Sequence, residues 1–457
     1  MKSFISILCL ASVIPCWAED NTLSDMPVSS AEKTHISLPF TSENEALKMH
    51  LNQGMQACLL NYREKAVYHF NQAIRLEPEC VMAHICHMLL LSSRSQEYKD
   101  SLQATNQLFE EVMLTPVEEW YISTFLQHIT GDIEGAAFAF QKRASVYRRD
   151  LMAAIWDIQL NQHREEQGSD ITTRADALVE RYPDNPLVLY CRALLDEYAA
   201  SPSENGLKYA QKAVEFMPGS PTAHQLLAHL LCRSGRHQEA IPYISEALRL
   251  CKDDLTLIKP SHAAIYRTSQ LAEVCAYWET GNKAEALKRS LALIREIPRD
   301  MAGEGDILLH WEARTLPLRL LVMQPVAPTG AAINAAAKAC NAPGDTPLEL
   351  VQNCLVAAIQ ARALADSGRP IIAQQTLTKS EKFLDELCKE TDNMIRQGGL
   401  THTCYSRALS ACMGATIRAR IALYKDSTDI WQPHLDTILN ERQTRFLPPV
   451  LPRLPQS

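Results

Sequence analysis

From residue 42 onward, apolar residues recur at spacings of three and four, in stretches separated by short polar breaks. This is the period of amphipathic helices, and the alternating β-branched runs that mark strands are nearly absent. The pattern predicts an all-α chain built of helical pairs. The clearest pair runs from Ala46 to Cys80, with a first segment around Leu47, Leu51 and Met55, a break at Asn61-Tyr62-Arg63, and a second segment through Ala66, Phe70 and Ala73. Gly54 and Ala66 are small where two helices would approach closely. Phe70 and Ala73 form a large-and-small interlocking pair, and Pro78 ends the second helix.

The same intervals return along the chain. Gly131 precedes Ala136 and Phe140; Ala213 and Pro218 repeat the interval of Ala73 and Pro78; Gly235, Ala240, Ile244 and Ala247 give the clearest second copy. Gly281, Ala286 and Pro298 give a third, and Gly368, Ala373 and Leu377 a degenerate one. The spacing stays at roughly 34 to 45 residues, the range of helical repeats. A lone hairpin of this kind has two apolar faces and cannot bury both. Neighbours must therefore stack, which predicts an α-solenoid of about nine hairpins over residues 42–445.

The stretch from Ala46 to Cys80 resembles a tetratricopeptide repeat, and the chain is accordingly expected to form a TPR-like superhelix. Leu51-Asn52-Gln53-Gly54, the Leu76-to-Ala83 run and Trp311-x-x-Arg314-Thr315-Leu316-Pro317 are similar to a group of bacterial repeat proteins. His84 departs from that pattern, where an aromatic residue is common. The resemblance implies a fold and a binding surface, with no activity.

The ends of the chain read differently. Lys2, the apolar run Phe4 to Ile14 and small Ala18 before Glu19 form the pattern of a secretory signal peptide over residues 1–18. A retained anchor and lipidation at Cys16 are the competing readings, and Pro15 stands against both. Residues 19–41 are expected to be a disordered spacer, and the Pro-rich 446–457 an extended tail. A periplasmic or secreted product is expected, with no membrane insertion of the mature chain.

Composition narrows the functions. With 16 Gly in 457 residues, glycine is too sparse for most sheet-based or nucleotide-binding folds. The 45 basic and 53 acidic residues are spread evenly, so no nucleic-acid footprint is expected. Of 14 cysteines, Cys9 and Cys16 fall in the leader. In an oxidising compartment the remainder suggest disulfides. Cys58, Cys232 and Cys275 lie on apolar helix faces, where a buried hydrophobe is an equal reading. Better pairs are Cys340 with Cys354, flanking a Pro-Gly turn, and Cys388 with Cys404, flanking Gly398-Gly399.

Candidate chemistry is sparse. His50, His69, His84 and His87 near Cys80 and Cys86 have the side chains of a metal site. Against that, His50, His84 and His224 share a register in three repeats, which marks a structural role. No Cys-x-x-Cys, His-Glu-x-x-His, phosphate-cradling Gly-rich loop or Gly-x-Ser-x-Gly elbow occurs, so no cofactor and no enzymatic activity is expected. Glu118 with Glu119 and Asp253 with Asp254 read as helix starts complementing the helix dipole.

Repeat register places Tyr121, Phe125 and His128, then Gln225, His229 and Arg233, then Trp278 and Glu279 on the inner faces of first helices. Such an aromatic and polar strip suits a protein or peptide partner. Packing between hairpins is the alternative role for the aromatics. The leading reading is a non-catalytic exported scaffold with a concave binding groove. Its rivals are a metal-handling or enzymatic repeat protein with a dispersed pocket, and a groove for a glycan or small ligand.

Overall fold

The computed structural model describes residues 37–424 and 432–433, apart from 92–95, 110, 163–167, 200, 258–262, 297–312, 322–327, 343–346 and 390–401. The expected signal peptide and Pro-rich tail lie outside the described residues. The described residues fall into two compact units, divided between residues 265 and 266. Among the described residues there is no strand, and no helix is long and apolar enough to cross a membrane.

The first unit stacks helical hairpins. They are α1 (Glu45–Leu59) with α2 (Arg63–Leu76), α3 (Val81–Met88) with α4 (Gln96–Leu108), and α5 (Pro116–Ile129) with α6 (Ile133–Val146). After them come α7 (Leu151–Asn161) with α8 (Gly168–Arg181), α9 (Pro186–Tyr198) with α10 (Glu204–Phe216), and α11 (Pro221–Arg233) with α12 (His237–Asp253). Three first helices start alike, with Thr115, Asn185 or Ser220 capping backbone amides and proline following at the first helical position. At α5 Glu118 closes a full capping box.

Two kinds of small-residue position make the hairpin. At the turn, Asn61, Gly131, Gly235, Gly281 and Gly368 all have positive φ, and each stands five positions before a buried alanine. In four of these turns the next residue's N–H closes back on the preceding helix: Tyr62 to Ala57, Asp132 to Gln127, Arg236 to Leu231 and Arg369 to Leu364, at 2.8–2.9 Å. That is the left-handed helix stop that glycine makes without steric cost. Gly54 serves differently, because a Cβ there would lie 2.5 Å from Cε1 of Phe70. Ala66, Phe70 and Ala73 are wholly buried opposite, as the repeat frame requires.

Two expectations are corrected. The last part of the predicted spacer is ordered: Leu38 is buried, its N–H donates to Asn52 Oδ1 at 2.9 Å, and Thr41 N–H donates to Glu118 Oε1 at 2.7 Å. Asp253 and Asp254 stand at the C-terminal end of α12, the wrong end for the dipole. Cations offset the charge, with Arg249 on Asp253 at 2.6 Å and Lys65 on Asp254 at 3.2 Å.

The second unit begins within the opening turn of α13 (Ala264–Glu279), which is followed by α14 (Lys283–Glu296). Residues 313–321 are also helical. Then come α15 (Gly330–Cys340), α16 (Pro347–Asp366), α17 (Pro370–Lys389) and α18 (His402–Leu423). Leu271, Val274 and Trp278 pack with Ala286, Leu293 and Leu316 in one core cluster, and Ile333, Ala337, Val356 and Leu364 in the next. In each unit the described residues form all-α hairpins of tetratricopeptide type.

Candidate functional site

The site expected from sequence is the inner face of the first helices. In the first unit that face is filled. Tyr121 and Phe125 on α5 are fully buried among Trp120, Phe140 and Trp156, with ring centroids 5.0 to 6.0 Å apart. The Tyr121 hydroxyl donates to Asp150, which Arg143 also holds, and the Arg143 guanidinium lies over the rings of Trp120 and Tyr121. Burial, reinforced by Asp150, pushes the Tyr121 phenol well above its ordinary range. These aromatics are core between hairpins, so they are corrected from partner contacts to packing. His128 is half-buried with its ring 6.3 Å from that of Trp156, and burial lowers its pKa.

The α11 residues are engaged too. His229 Nδ1 sits 2.9 Å from Glu197 Oε1, and Arg233 donates to the carbonyls of Asp196 and Glu197 at 2.6 Å and to that of Ala199. Arg233 thereby finishes the C-terminal end of α9, whose last carbonyls lack helical partners, while His229 meets the Glu197 carboxylate on the same helix end. Gln225 is half-buried beside them in sequence. Trp278 belongs to the second unit, where it is 6% exposed within the core and carries Lys283 Nζ 5.1 Å from its ring centre. Glu279 next to it is exposed.

The tip of the first hairpin meets α7 and α9. Gln159 Nε2 on α7 donates to Leu59 O at 2.7 Å, and Tyr190 Oη on α9 donates to Leu60 O at 3.2 Å. Beyond the tip, Tyr62 Oη donates to Asp254 Oδ2 at 3.0 Å, and Ala264 N–H donates to Glu64 Oε1 at 3.3 Å. Burial raises the Tyr62 phenol above its ordinary range, with Cys251 and Asp254 adding to it. Burial works to raise Asp254 too, but hydrogen bonds from Thr256 and the Lys65 ammonium outweigh it and leave its carboxyl below the usual value. Residues about 100 to 200 positions apart therefore meet at one end of α1.

Sequence reasoning missed Gln159 and Tyr190, and gave Asp254 a helix-start role in place of its contacts with Tyr62 and Lys65. The available signal was a polar group on an otherwise apolar helix: Gln159 lies in Leu-Met-Ala-Ala-Ile-Trp-Asp-Ile-Gln-Leu, and Tyr190 follows Leu-Val-Leu. A buried donor on such a face needs an acceptor from elsewhere.

The histidines hold the fold. His84 Nε2 lies 2.9 Å from Pro78 O and His224 Nε2 lies 2.9 Å from Pro218 O, so the shared register expresses one repeated contact. His50 departs from it and pairs with His69, Nδ1 to Nδ1, at 3.0 Å. Burial, then the charges of His50 and Lys65, push His69 down to about 4. Among the described residues no group of three or more His, Cys, Asp or Glu has the geometry to hold a metal ion.

Cys340, Cys354 and Cys412 all stand as buried free thiols, and the expected pairing of Cys340 with Cys354 is corrected by position, because Cys354 faces Ser380 of α17. Cys388 is exposed at the end of α17, and the side chain of Cys404 lies outside the described residues.

No family model and no curated protein matches the chain. Among solved structures, the human IFIT1 dimer with PPP-AAAA is similar at a TM-score of 0.40 and 12% identity, covering 87% of this chain and 86% of that one. The crystal structure of yeast Tom70 is similar at 0.33 and 14%, covering 89% and 74%. The repeated left-handed turn, the alanine five residues beyond it and the close glycine of the first hairpin give the chain its fold, a stack of tetratricopeptide-type hairpins.

Proposed function

We propose that this chain is a non-catalytic scaffold, working after export, that binds a peptide or protein segment on the inner face of its first unit. The observation that carries the reading is the pair of donors Gln159 and Tyr190. Each addresses a main-chain carbonyl at the end of a helix from another hairpin. Arg233 does the same for α9. Recognition of backbone carbonyls is independent of the bound segment's side chains, and a helix end from a partner offers the same acceptors. In this reading the first hairpin's tip is an internal occupant that a partner segment displaces.

Selection of a displayed random-peptide library on the full chain tests the proposal. Enriched peptides should bind the unaltered protein, and Gln159→Leu with Tyr190→Phe should change their affinity at least tenfold with helix content unchanged by circular dichroism. Absence of enrichment over an unrelated all-α protein, or binders indifferent to both changes, would refute it.

A further inference from the structure

In the second unit a small polar cluster sits where α16, α17 and α18 meet. Cys354 Sγ of α16 lies 3.5 Å from Ser380 O and 3.7 Å from Ser380 Oγ of α17. Ser380 Oγ lies 3.0 Å from Thr416 Oγ1 of α18, which in turn donates to Cys412 O at 2.8 Å. Cys412 Sγ completes the circuit by donating to Val351 O at 3.7 Å, one turn before Cys354 on α16. Both cysteine side chains are fully buried, and each thus points into the same junction from a different helix.

We propose that Cys354 and Cys412 are disulfide partners, cross-linking α16 to α18. The reaction is thiol–disulfide exchange with a small-molecule disulfide as oxidant. The Cys354 thiolate attacks one sulfur of the oxidant, forming a mixed disulfide and releasing one small thiolate. The Cys412 thiolate then attacks Cys354 Sγ, forming the protein disulfide and releasing the second. Two protein thiols are oxidised, one disulfide is reduced to two thiols, and two protons pass from the protein to the departing thiolates. Because both sulfurs are buried, the exchange runs while the three helices assemble.

The local chemistry favours Cys354 as the attacking group. A hydrogen bond from Cys412, with further ones from Ser380 and Thr416, holds its thiol below the ordinary value against the burial that raises it. Burial instead pushes Cys80, Cys191, Cys251 and Cys340 up to about 12, where the reactive thiolate is scarce. The pairing spans 57 intervening residues, whereas Cys340 and Cys354 are separated by 13. Nearness in sequence therefore points to the wrong partner.

The full chain, unfolded and reduced, is refolded in a mixture of oxidised and reduced glutathione; remaining thiols are alkylated and the protein is cleaved after Lys, Arg and Glu. Glu349 separates Cys340 from Cys354, so the expected product is residues 350–362 linked to residues 408–418. The oxidised protein should also unfold at higher denaturant concentration than the reduced one. Cys340→Ala should leave the link intact. Cys354 joined to Cys340, alkylation of both Cys354 and Cys412, or equal midpoints for oxidised and reduced protein would each overturn the proposal. The mapping needs no substitution, so a variant that fails to fold does not blunt it.

Discussion

In the first unit the helices are 8 to 17 residues long, and the α5–α7 region is filled by large rings. In the second, α16, α17 and α18 run to 20, 20 and 22 residues, and their shared core is made of Ala361, Leu377, Ala419 and the Cys–Ser–Thr cluster. Short helices inclined to one another leave wedge-shaped gaps that rings fill. Long helices with small side chains lie close along their length, and a buried hydroxyl reaches across them, as Ser380 does to Thr416 at 3.0 Å and to Cys354 O at 3.3 Å. The repeat signature is therefore dense where packing is renewed at every hairpin, and thin where a few long helices do the work.

The sharpest way to break this comparison is to empty the aromatic core. Phe125→Ala removes a fully buried ring that touches Tyr121, Phe140 and Trp156, and should destabilise the first unit by about 3–5 kcal/mol. Hydrogen exchange read by mass spectrometry should show amides of α5 to α7 losing protection while those of α16 and α17 keep theirs. Loss of protection in both would mean that the two units unfold as one, and that their different packing has no separate energetic consequence.

The repeat frame was legible because each of its residues acts on its immediate neighbour. Gly54 faces Phe70, and the turn residue fixes the next alanine five positions on. Register also placed Tyr121 and Phe125 on first helices correctly. It could not tell that this face is closed, because Phe125 packs against Trp156 of the next hairpin, nor that Leu59 meets Gln159 and Tyr62 meets Asp254. Nearest-neighbour periodicity carries no information about contacts between residues so far apart. The cysteines failed for a related reason: Cys354 answers to α17 and α18, which pack on α16 from later in the chain.

A smaller effect acts on the first unit through pH. His69 and His87 of the first unit are buried, and that burial, with nearby His50 and Lys65 for the one and His84 for the other, lowers each to about 4. An unfolded imidazole titrates near 6.5. Between the two values only the unfolded chain holds these protons, so the stabilisation is complete above pH 6.5 and is lost as pH falls toward 4. Asp157 opposes this, since burial raises its folded pKa to about 6 and the folded chain takes up its proton first. From pH 7 to 5 each histidine should cost about 2 kcal/mol and Asp157 should return about 1. Urea midpoints followed by tryptophan fluorescence should fall over this range, and His69→Gln with His87→Gln should flatten the fall. An unchanged midpoint between pH 7 and 5 would show that neither imidazole is held neutral by the fold.

The finest comparison is between two glycines, Gly54 of the first unit and Gly368 of the second, which the repeat uses for different physical reasons. At Gly54 the backbone is helical and the obstacle is Phe70, so Gly54→Ala sets overpacking of about 1–3 kcal/mol against roughly 1 kcal/mol of improved helix propensity. At Gly368 nothing lies within 4 Å of an added Cβ, and the obstacle is φ of +71°. Gly368→Ala should cost about 1 kcal/mol from the left-handed backbone, partly offset by a stiffer unfolded chain. Second changes tell the two mechanisms apart. Phe70→Leu should recover part of the Gly54→Ala loss in a double-mutant cycle, because it moves the clashing atoms. Gly368→Asn should be milder than Gly368→Ala, because Asn61 holds the same turn position at φ +57° in the first hairpin. Denaturant midpoints for the full set measure both. If Phe70→Leu adds independently to Gly54→Ala, the close approach of α1 and α2 is not what makes glycine necessary there. If Asn and Ala are equivalent at position 368, the turn there relaxes out of the left-handed region, and the two units do not share one turn geometry.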